Sequence, residues 1–149
     1  MMTLSKKLVG LSLSLAMAGC SSLGNEPTLQ HNGVAVNGYD VVAYFTENKP
    51  VKGLSKFSSE YHDLHWYFSS EKNKELFEQD QQHYLPQYGG YCAYGMSKGF
   101  VVDTDPHAFT IVNDKLYLNY SLGVRDTWQK ETAEYINSAD THWLKKTKK

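Results

Sequence analysis

Residues 56–70, KFSSEYHDLHWYFSS, hold two short runs in which large side chains alternate with polar ones. Because neighbouring side chains of a strand point to opposite faces, each run predicts a half-buried strand. The dipeptide His62-Asp63 separates the runs and predicts the turn of a β-hairpin. His65 falls on the opposite parity to Trp66 and is therefore expected to face away from the core. The large side chains that share a parity are Phe57 and Tyr61, then Leu64, Trp66 and Phe68.

Helix and strand signals follow this hairpin in separate blocks. Ser70 precedes EKNKELFEQD at residues 71–80, which predicts a short helix with a hydroxyl N-cap. FTIVNDKLYLN at residues 109–119 predicts a second hairpin that turns at Asn113-Asp114. From about Val124 to Leu144, aromatic and apolar residues recur at helical spacing. We therefore expect an α+β fold, a small single domain in which two antiparallel hairpins pack against a short helix, a central Gly/Cys-containing helical segment and a long C-terminal helix.

Residues 1–22, MMTLSKKLVGLSLSLAMAGCSS, have the layout of a signal peptide, with lysines before an apolar run that is too short for a membrane span. The end of this run resembles the lipobox of bacterial lipoproteins, so Cys20 is expected to carry a lipid anchor. Ser21 follows it instead of aspartate, which by resemblance to sorting rules indicates the periplasmic face of the outer membrane. The alternative is an ordinary cleaved signal with a free Cys20. The predicted boundaries are a signal peptide at residues 1–19, a lipid-anchored tether at 20–33 and a folded domain at 34–149.

Composition and charge narrow the classes of partner. The chain is 41% hydrophobic and 13% aromatic, which is enough to fill the core of a domain. Its formal net charge is −1, and loss of Lys6 and Lys7 with the signal peptide would bring it to about −3. With no basic stripe, nucleic acid is not an expected partner. The terminal KKTKK at residues 145–149 either touches anionic lipid head groups or balances the dipole of the last helix.

Motifs of the common enzyme classes are missing from the sequence. There is no G-x-S-x-G, no P-loop and no dinucleotide-binding fingerprint. A thiol enzyme with Cys92 as nucleophile would need a histidine base, and no catalytic signature supports that arrangement. The sequence therefore predicts a protein that is not an enzyme.

The stretch GGYCAYGMSKG, residues 89–99, carries a cysteine that has no intrachain partner if Cys20 is acylated. If the segment after Gly90 is helical, Cys92 lies near the helix N-terminus, where the dipole favours thiolate, and Met96 falls on the same face. A thiolate with a thioether suits Cu(I). The alternative is that both side chains simply fill the core, because free cysteine and methionine are often buried.

The histidines show no paired metal-ligand spacing. His83 is closer in sequence to Cys92 than the hairpin histidines are, and it is our first choice for a second ligand. His65, beside the first hairpin turn, could supply another imidazole or could face solvent. The predicted metal ligands are therefore Cys92, Met96, His83 and His65. Asp40 is expected to cap a helical turn.

Three stretches together resemble the exported single-domain members of the YHS-domain proteins, and the resemblance spans roughly residues 34–144. They are GYDVVAYF at residues 38–45, YHDLHWYFSSEKNKELFEQDQQHYLPQYGGYCAYG at 61–95 and FTIVNDKLYLNY at 109–120. The resemblance implies a small α+β fold and a role in binding copper or another transition-metal ion in the envelope.

The resemblance also identifies a departure from the family pattern. Many family members carry a Tyr-Phe-Cys-Ser stretch and a second cysteine four residues later, a thiolate pair suited to soft metals. Matched residue by residue, those cysteines fall on Ser69 and Asn73. The metal site of such members therefore does not transfer directly to this chain.

The sequence leads to two hypotheses about function. The first is a lipid-anchored periplasmic protein that binds or helps handle a transition-metal ion, with copper favoured, through Cys92. The second is a metal-free module with an aromatic-rich surface that contacts an envelope protein or a small ligand. A metal assay on the soluble domain separates them.

Overall fold

The computed structural model of the chain describes residues 26–148. The predicted signal peptide at residues 1–19 and the predicted lipid anchor on Cys20 lie outside the described residues.

The predicted hairpin at residues 56–70 is confirmed and forms half of a four-stranded sheet with strand order β1-β2-β4-β3. Its turn residues His62 and Asp63 have φ values of 52° and 60°, which is the left-handed geometry that a two-residue hairpin turn requires. Trp66 is 2% exposed whereas His65 is exposed, as the alternation predicts. The strands are β1 (Gln30–His31), β2 (Val34–Ala35), β3 (Leu54–Tyr61) and β4 (Leu64–Phe68).

The second predicted hairpin is also confirmed, as β5 (Asp105–Val112) and β6 (Lys115–Asn119). These two antiparallel strands form a sheet of their own. Asn113 and Asp114 have φ values of 49° and 61° and form the turn. Beyond Lys115, β6 runs through the core, because Leu116 and Leu118 are almost fully buried.

Six α-helices accompany the two sheets within residues 26–148, so the α+β prediction is confirmed. The α2 helix is the predicted short helix, and the Ser70 side chain caps it by accepting a hydrogen bond from Asn73 N. The helices are α1 (Ala43–Thr46), α2 (Glu71–Gln79), α3 (Gln81–Tyr84), α4 (Ala93–Ser97), α5 (Leu122–Gln129) and α6 (Thr132–Thr147).

The predicted long C-terminal helix is confirmed as α6, but its predicted start at about Val124 lies in a separate helix, α5. The helical path breaks at Glu131, which has φ −138° and ψ 50°. Trp128 of α5 and Ala139 of α6 lie on either side of the break, and both are fully buried in one core cluster. No glycine or proline marks this boundary in the sequence. We therefore attribute it to tertiary packing, which can override local helix propensity.

The folded part of the chain begins before the predicted domain boundary at residue 34. Leu29 is fully buried, and β1 pairs with β2. Leu29 N donates to Gly89 O at 2.8 Å, and Val36 N donates to Leu29 O at 2.9 Å. Residues 28–33, which were predicted as part of a tether, are therefore part of the domain, because a buried leucine and strand pairing fix them there.

Two aromatic-rich clusters form the core. The first lies between the four-stranded sheet, α1 and α2, and its largest buried members are Tyr44, Trp66, Phe68 and Phe77. The second lies between α4, α5, α6 and β6, and its members are Tyr88, Ala93, Met96, Tyr117, Trp128 and Ala139. Within residues 26–148, no helix is both long enough and apolar enough to cross a bilayer.

Candidate functional site

Cys92 lies at the N-cap of α4, where the backbone also pairs in parallel with Leu118 of β6. The thiol is free, and the residue is 1% exposed. Its Sγ accepts hydrogen bonds from Gly95 N at 3.4 Å and from Tyr120 N at 3.3 Å. The segment after Gly90 is therefore helical, as predicted, and it holds the thiol between α4 and the end of β6.

The position of Cys92 at a helix N-terminus was expected to favour a thiolate. The surroundings of the side chain favour the protonated thiol instead. Burial raises the pKa of the Cys92 thiol above its ordinary value of 9.0, and the backbone N–H groups of Gly95 and Tyr120 offset only part of that effect. The thiol therefore keeps its proton near neutral pH. As a neutral group it donates to Asn119 Oδ1 at 3.5 Å, a long contact.

Asn119 completes the polar surroundings of the thiol and was not recognised from the sequence. It is fully buried, and its Oδ1 also accepts a hydrogen bond from Tyr94 N at 3.0 Å. Among the described residues, its Nδ2 has no hydrogen-bond partner. The two contacts to Oδ1 fix which way the carboxamide points, so Nδ2 cannot exchange places with it without facing the Tyr94 N–H group.

The other three predicted ligands lie in separate surroundings. Met96 is fully buried in the second core cluster. His83 lies at the end of α3, where its Nδ1 is 3.4 Å from Asp114 Oδ2 and its ring packs on Phe45. His65 lies on the solvent side of β4, with Nε2 at 3.8 Å from Glu60 Oε1.

The structure does not assemble these residues into one centre. In the part of the chain that the structure describes, no group of three or more His, Cys, Asp or Glu side chains is arranged to hold a metal ion. Cys92 is buried between α4 and β6, whereas His83 and His65 contact carboxylates of residues at the surface.

A second polar cluster centres on the carboxylate of Asp40, which is fully buried. Its Oδ1 accepts from Val42 N at 2.9 Å and Ala43 N at 3.1 Å, so the predicted capping role is confirmed. Its Oδ2 accepts from Ser69 N at 2.8 Å, Ser69 Oγ at 2.7 Å and Asn73 Nδ2 at 2.8 Å. Asp40 therefore joins α1, the end of β4 and α2.

Ser69 and Asn73 occupy the positions at which the family resemblance places a pair of cysteines. Here they offer a hydroxyl and an amide, and both donate to the same oxygen of Asp40. Soft ions such as Cu(I) prefer thiolate and thioether ligands, whereas these oxygen and nitrogen atoms are hard and already paired. The residues present do not fit the soft-metal site that the family resemblance implies.

A cleft of about 420 Å³ opens on the opposite side of the four-stranded sheet from the core. Basic groups at its rim are Lys52 and His31, and the Tyr67 ring forms part of its wall. Gly53 is required beside it, because a Cβ there would collide with the Tyr67 backbone. The remaining lining residues are Val34, Asn37, Gly38, Leu54 and Ser55.

The family model of the YHS domain matches residues 42–88, a stretch that includes Ser69 and Asn73 and ends before Cys92. No curated protein and no solved structure matches the chain. Residues 42–88 are therefore similar to the YHS domain, the family that the sequence resemblance predicts.

Proposed function

We propose that this chain is a metal-free binding module of the bacterial envelope, held at the membrane by a lipid on Cys20, and that it is not an enzyme. The observation that carries the metal-free assignment is the Asp40 cluster. Asp40 accepts hydrogen bonds from Ser69 and Asn73, the residues that stand where the family resemblance places thiolate ligands. A carboxylate that already accepts five hydrogen bonds has little capacity left for an ion.

The cleft beside Tyr67 is the binding site that we assign to this module. Its volume of about 420 Å³ lies in the range of small-molecule sites. Val34 and Leu54 supply apolar wall, and Lys52 supplies a positive charge at the rim. This combination suits a small organic acid with an apolar body.

A second candidate function is transient handling of Cu(I) through Cys92. The observation in its favour is that Gly95 N and Tyr120 N both point at Sγ, as donors to a thiolate would. Against it stand the burial of the thiol and its raised pKa.

A Cu(I) competition titration separates the two functions. Residues 24–149 include the whole described fold, and this protein is expected to leave a chromophoric Cu(I) chelator fully loaded under reducing conditions. Cys92→Ser is expected to lower the melting temperature without changing the titration, because the thiol is a buried packing group.

The matched positive control restores the family's cysteine pair as Ser69→Cys/Asn73→Cys. This variant is expected to remove about one equivalent of Cu(I) from the chelator, because the side chains at positions 69 and 73 lie next to each other and two adjacent thiolates suit a soft ion. Uptake of one equivalent by the wild type, with loss of that uptake in Cys92→Ser, Met96→Leu or His83→Gln at an unchanged melting temperature, would contradict the proposal in favour of the second candidate.

Chemical-shift mapping with benzoate tests the cleft. We expect benzoate to shift the amide resonances of Gly38, Gly53 and Ser55, and we expect Lys52→Met to weaken binding roughly ten-fold, as loss of one charge-assisted contact does. Lys72→Met, on α2, is the matched control and should leave the affinity unchanged. Shifts that are absent, or that scatter over the surface, would remove the cleft from the proposal.

A further inference from the structure

The first described residues are held against the domain by contacts on both sides of Pro27. The Tyr91 hydroxyl donates to Glu26 O at 3.1 Å, and Leu29 N donates to Gly89 O at 2.8 Å. Gly89 has φ +62°, and a Cβ there would collide with the carbonyl oxygen of Pro27. The backbones of residues 26–29 and of Gly89 are therefore in close contact, and the chain belongs to the domain from Glu26 onward.

Only residues 21–25 separate Cys20 from Glu26. An extended chain advances at most about 3.5 Å per residue, so a lipid on Cys20 would hold Glu26 within roughly 20 Å of the membrane surface. The side of the domain on which Glu26 lies must then be close to that surface.

The end of α6 lies on this same side. Gly89 and Leu144 line one cleft of about 430 Å³, and Leu85, Pro86 and Trp143 supply apolar wall to it. Leu144 is 52% exposed, which places a large apolar side chain in solvent next to the chain entry.

Positive charge is concentrated beside this apolar wall. Lys145 and Lys146 in the last turn of α6 and Lys148 just after its end are exposed, and all three lie within four residues of Leu144. Three acidic residues lie near this surface, and each has a contact or a place that the structure defines. Asp140 accepts a hydrogen bond from the Tyr88 hydroxyl at 2.9 Å, Asp103 pairs with His31, and Glu26 is the entry residue itself.

We propose that this membrane-facing surface, formed by residues 85–89 and 140–148, rests on the anionic lipid head groups of the membrane that holds the protein. The three lysines contact the head groups, and Leu144 enters the interfacial region together with the accessible part of Trp143, whose ring otherwise packs on the second core cluster. The inference rests on the lipid anchor of the proposed function, and it adds a defined orientation of the domain.

Lipid-dependent quenching of fluorescence tests the orientation. The lipidated mature protein, which begins at Cys20, is reconstituted into vesicles of phosphatidylethanolamine and phosphatidylglycerol with brominated acyl chains. Of the three tryptophans, only Trp143 is expected to be quenched by bromine. Trp66 and Trp128 lie in the core and are 2% and 0% exposed. Most of the quenching should therefore disappear in Trp143→Phe, and it should fall in Lys145→Gln/Lys146→Gln/Lys148→Gln.

The matched control removes three exposed lysines elsewhere, as Lys56→Gln/Lys72→Gln/Lys115→Gln, and should leave the quenching unchanged. The protein from Ser21 onward, which has no acyl chains, tests the surface without the anchor. Its binding to the same vesicles should fall about five-fold for each of Lys145, Lys146 and Lys148 that is removed, and should not fall in the control.

Two results would overturn the proposal. One is that bromine does not quench Trp143, or that it quenches the variant without Lys145, Lys146 and Lys148 as strongly as the control variant. The other is crosslinking through Leu144 to a second copy of the chain in the vesicles, which would make the surface an interface between copies. Mass measurement of the acylated N-terminal peptide reports separately on the anchor, so failure of the anchor and failure of the surface are distinguished.

Discussion

Asp40→Asn is expected to lower the free energy of unfolding by roughly 3–5 kcal/mol, since it removes a buried charge that several partners require. An amide of the same shape has one oxygen that accepts and one nitrogen that donates. Whichever way it turns, its nitrogen faces the donors of Val42 and Ala43 or those of Ser69 and Asn73. At least two buried N–H groups then lose their acceptor. Urea unfolding followed by circular dichroism measures the loss.

Two variants make the Asp40 result specific. Asp63→Asn changes an exposed carboxylate in the hairpin turn, where asparagine also tolerates the φ of 60°, and should alter stability by less than about 0.5 kcal/mol. Ser69→Ala removes one of the donors and should cost about 1 kcal/mol. A loss below about 1 kcal/mol for Asp40→Asn would show that the Asp40 cluster does not organise the fold.

Trp128→Ala is expected to destabilise the domain by roughly 3–5 kcal/mol, the range for deletion of a fully buried aromatic ring. Trp128 is 0% exposed, and its ring lies 5.2 Å from that of Tyr117, so it joins α5 to β6. Trp128→Phe should cost only about 1–2 kcal/mol, because it keeps most of the ring contacts. It also removes Nε1, which has no hydrogen-bond partner among the described residues.

Thermal and urea unfolding of the two Trp128 variants give the comparison. Leu122→Ala, at the exposed start of the same helix, is the control and should change stability by less than about 0.5 kcal/mol. Equal losses for Trp128→Ala and Trp128→Phe would mean that the ring size is not what holds α5 in place.

Local signals in the sequence were sufficient for both hairpins and for α2. Each hairpin turn combines two residues that tolerate positive φ, and the alternation on either side sets the register. Ser70 caps α2 through a contact only three residues long, which a sequence pattern can show. These features could be predicted because the interactions that fix them are close along the chain.

The features that could not be predicted from the sequence depend on contacts between residues that are far apart along the chain. Leu29 is one apolar residue in a polar stretch, and its burial depends on Gly89, sixty residues further on. Asn119 meets Cys92 only after β6 and α4 come together. The predicted ligand set failed to assemble for the same reason, because proximity of His83 and Cys92 along the chain did not place their side chains in one site.

The contact between Asp40 and Ser69 spans 29 residues of chain. Closing a flexible loop of that length reduces chain entropy by an amount that corresponds to roughly 3 kcal/mol at room temperature. The β3–β4 hairpin lies inside the loop and closes locally, so its formation shortens the flexible length that remains. The Asp40 carboxylate thus acts as a non-covalent crosslink, which holds a loop of the size that a disulfide closes in many exported proteins and needs no oxidant to form.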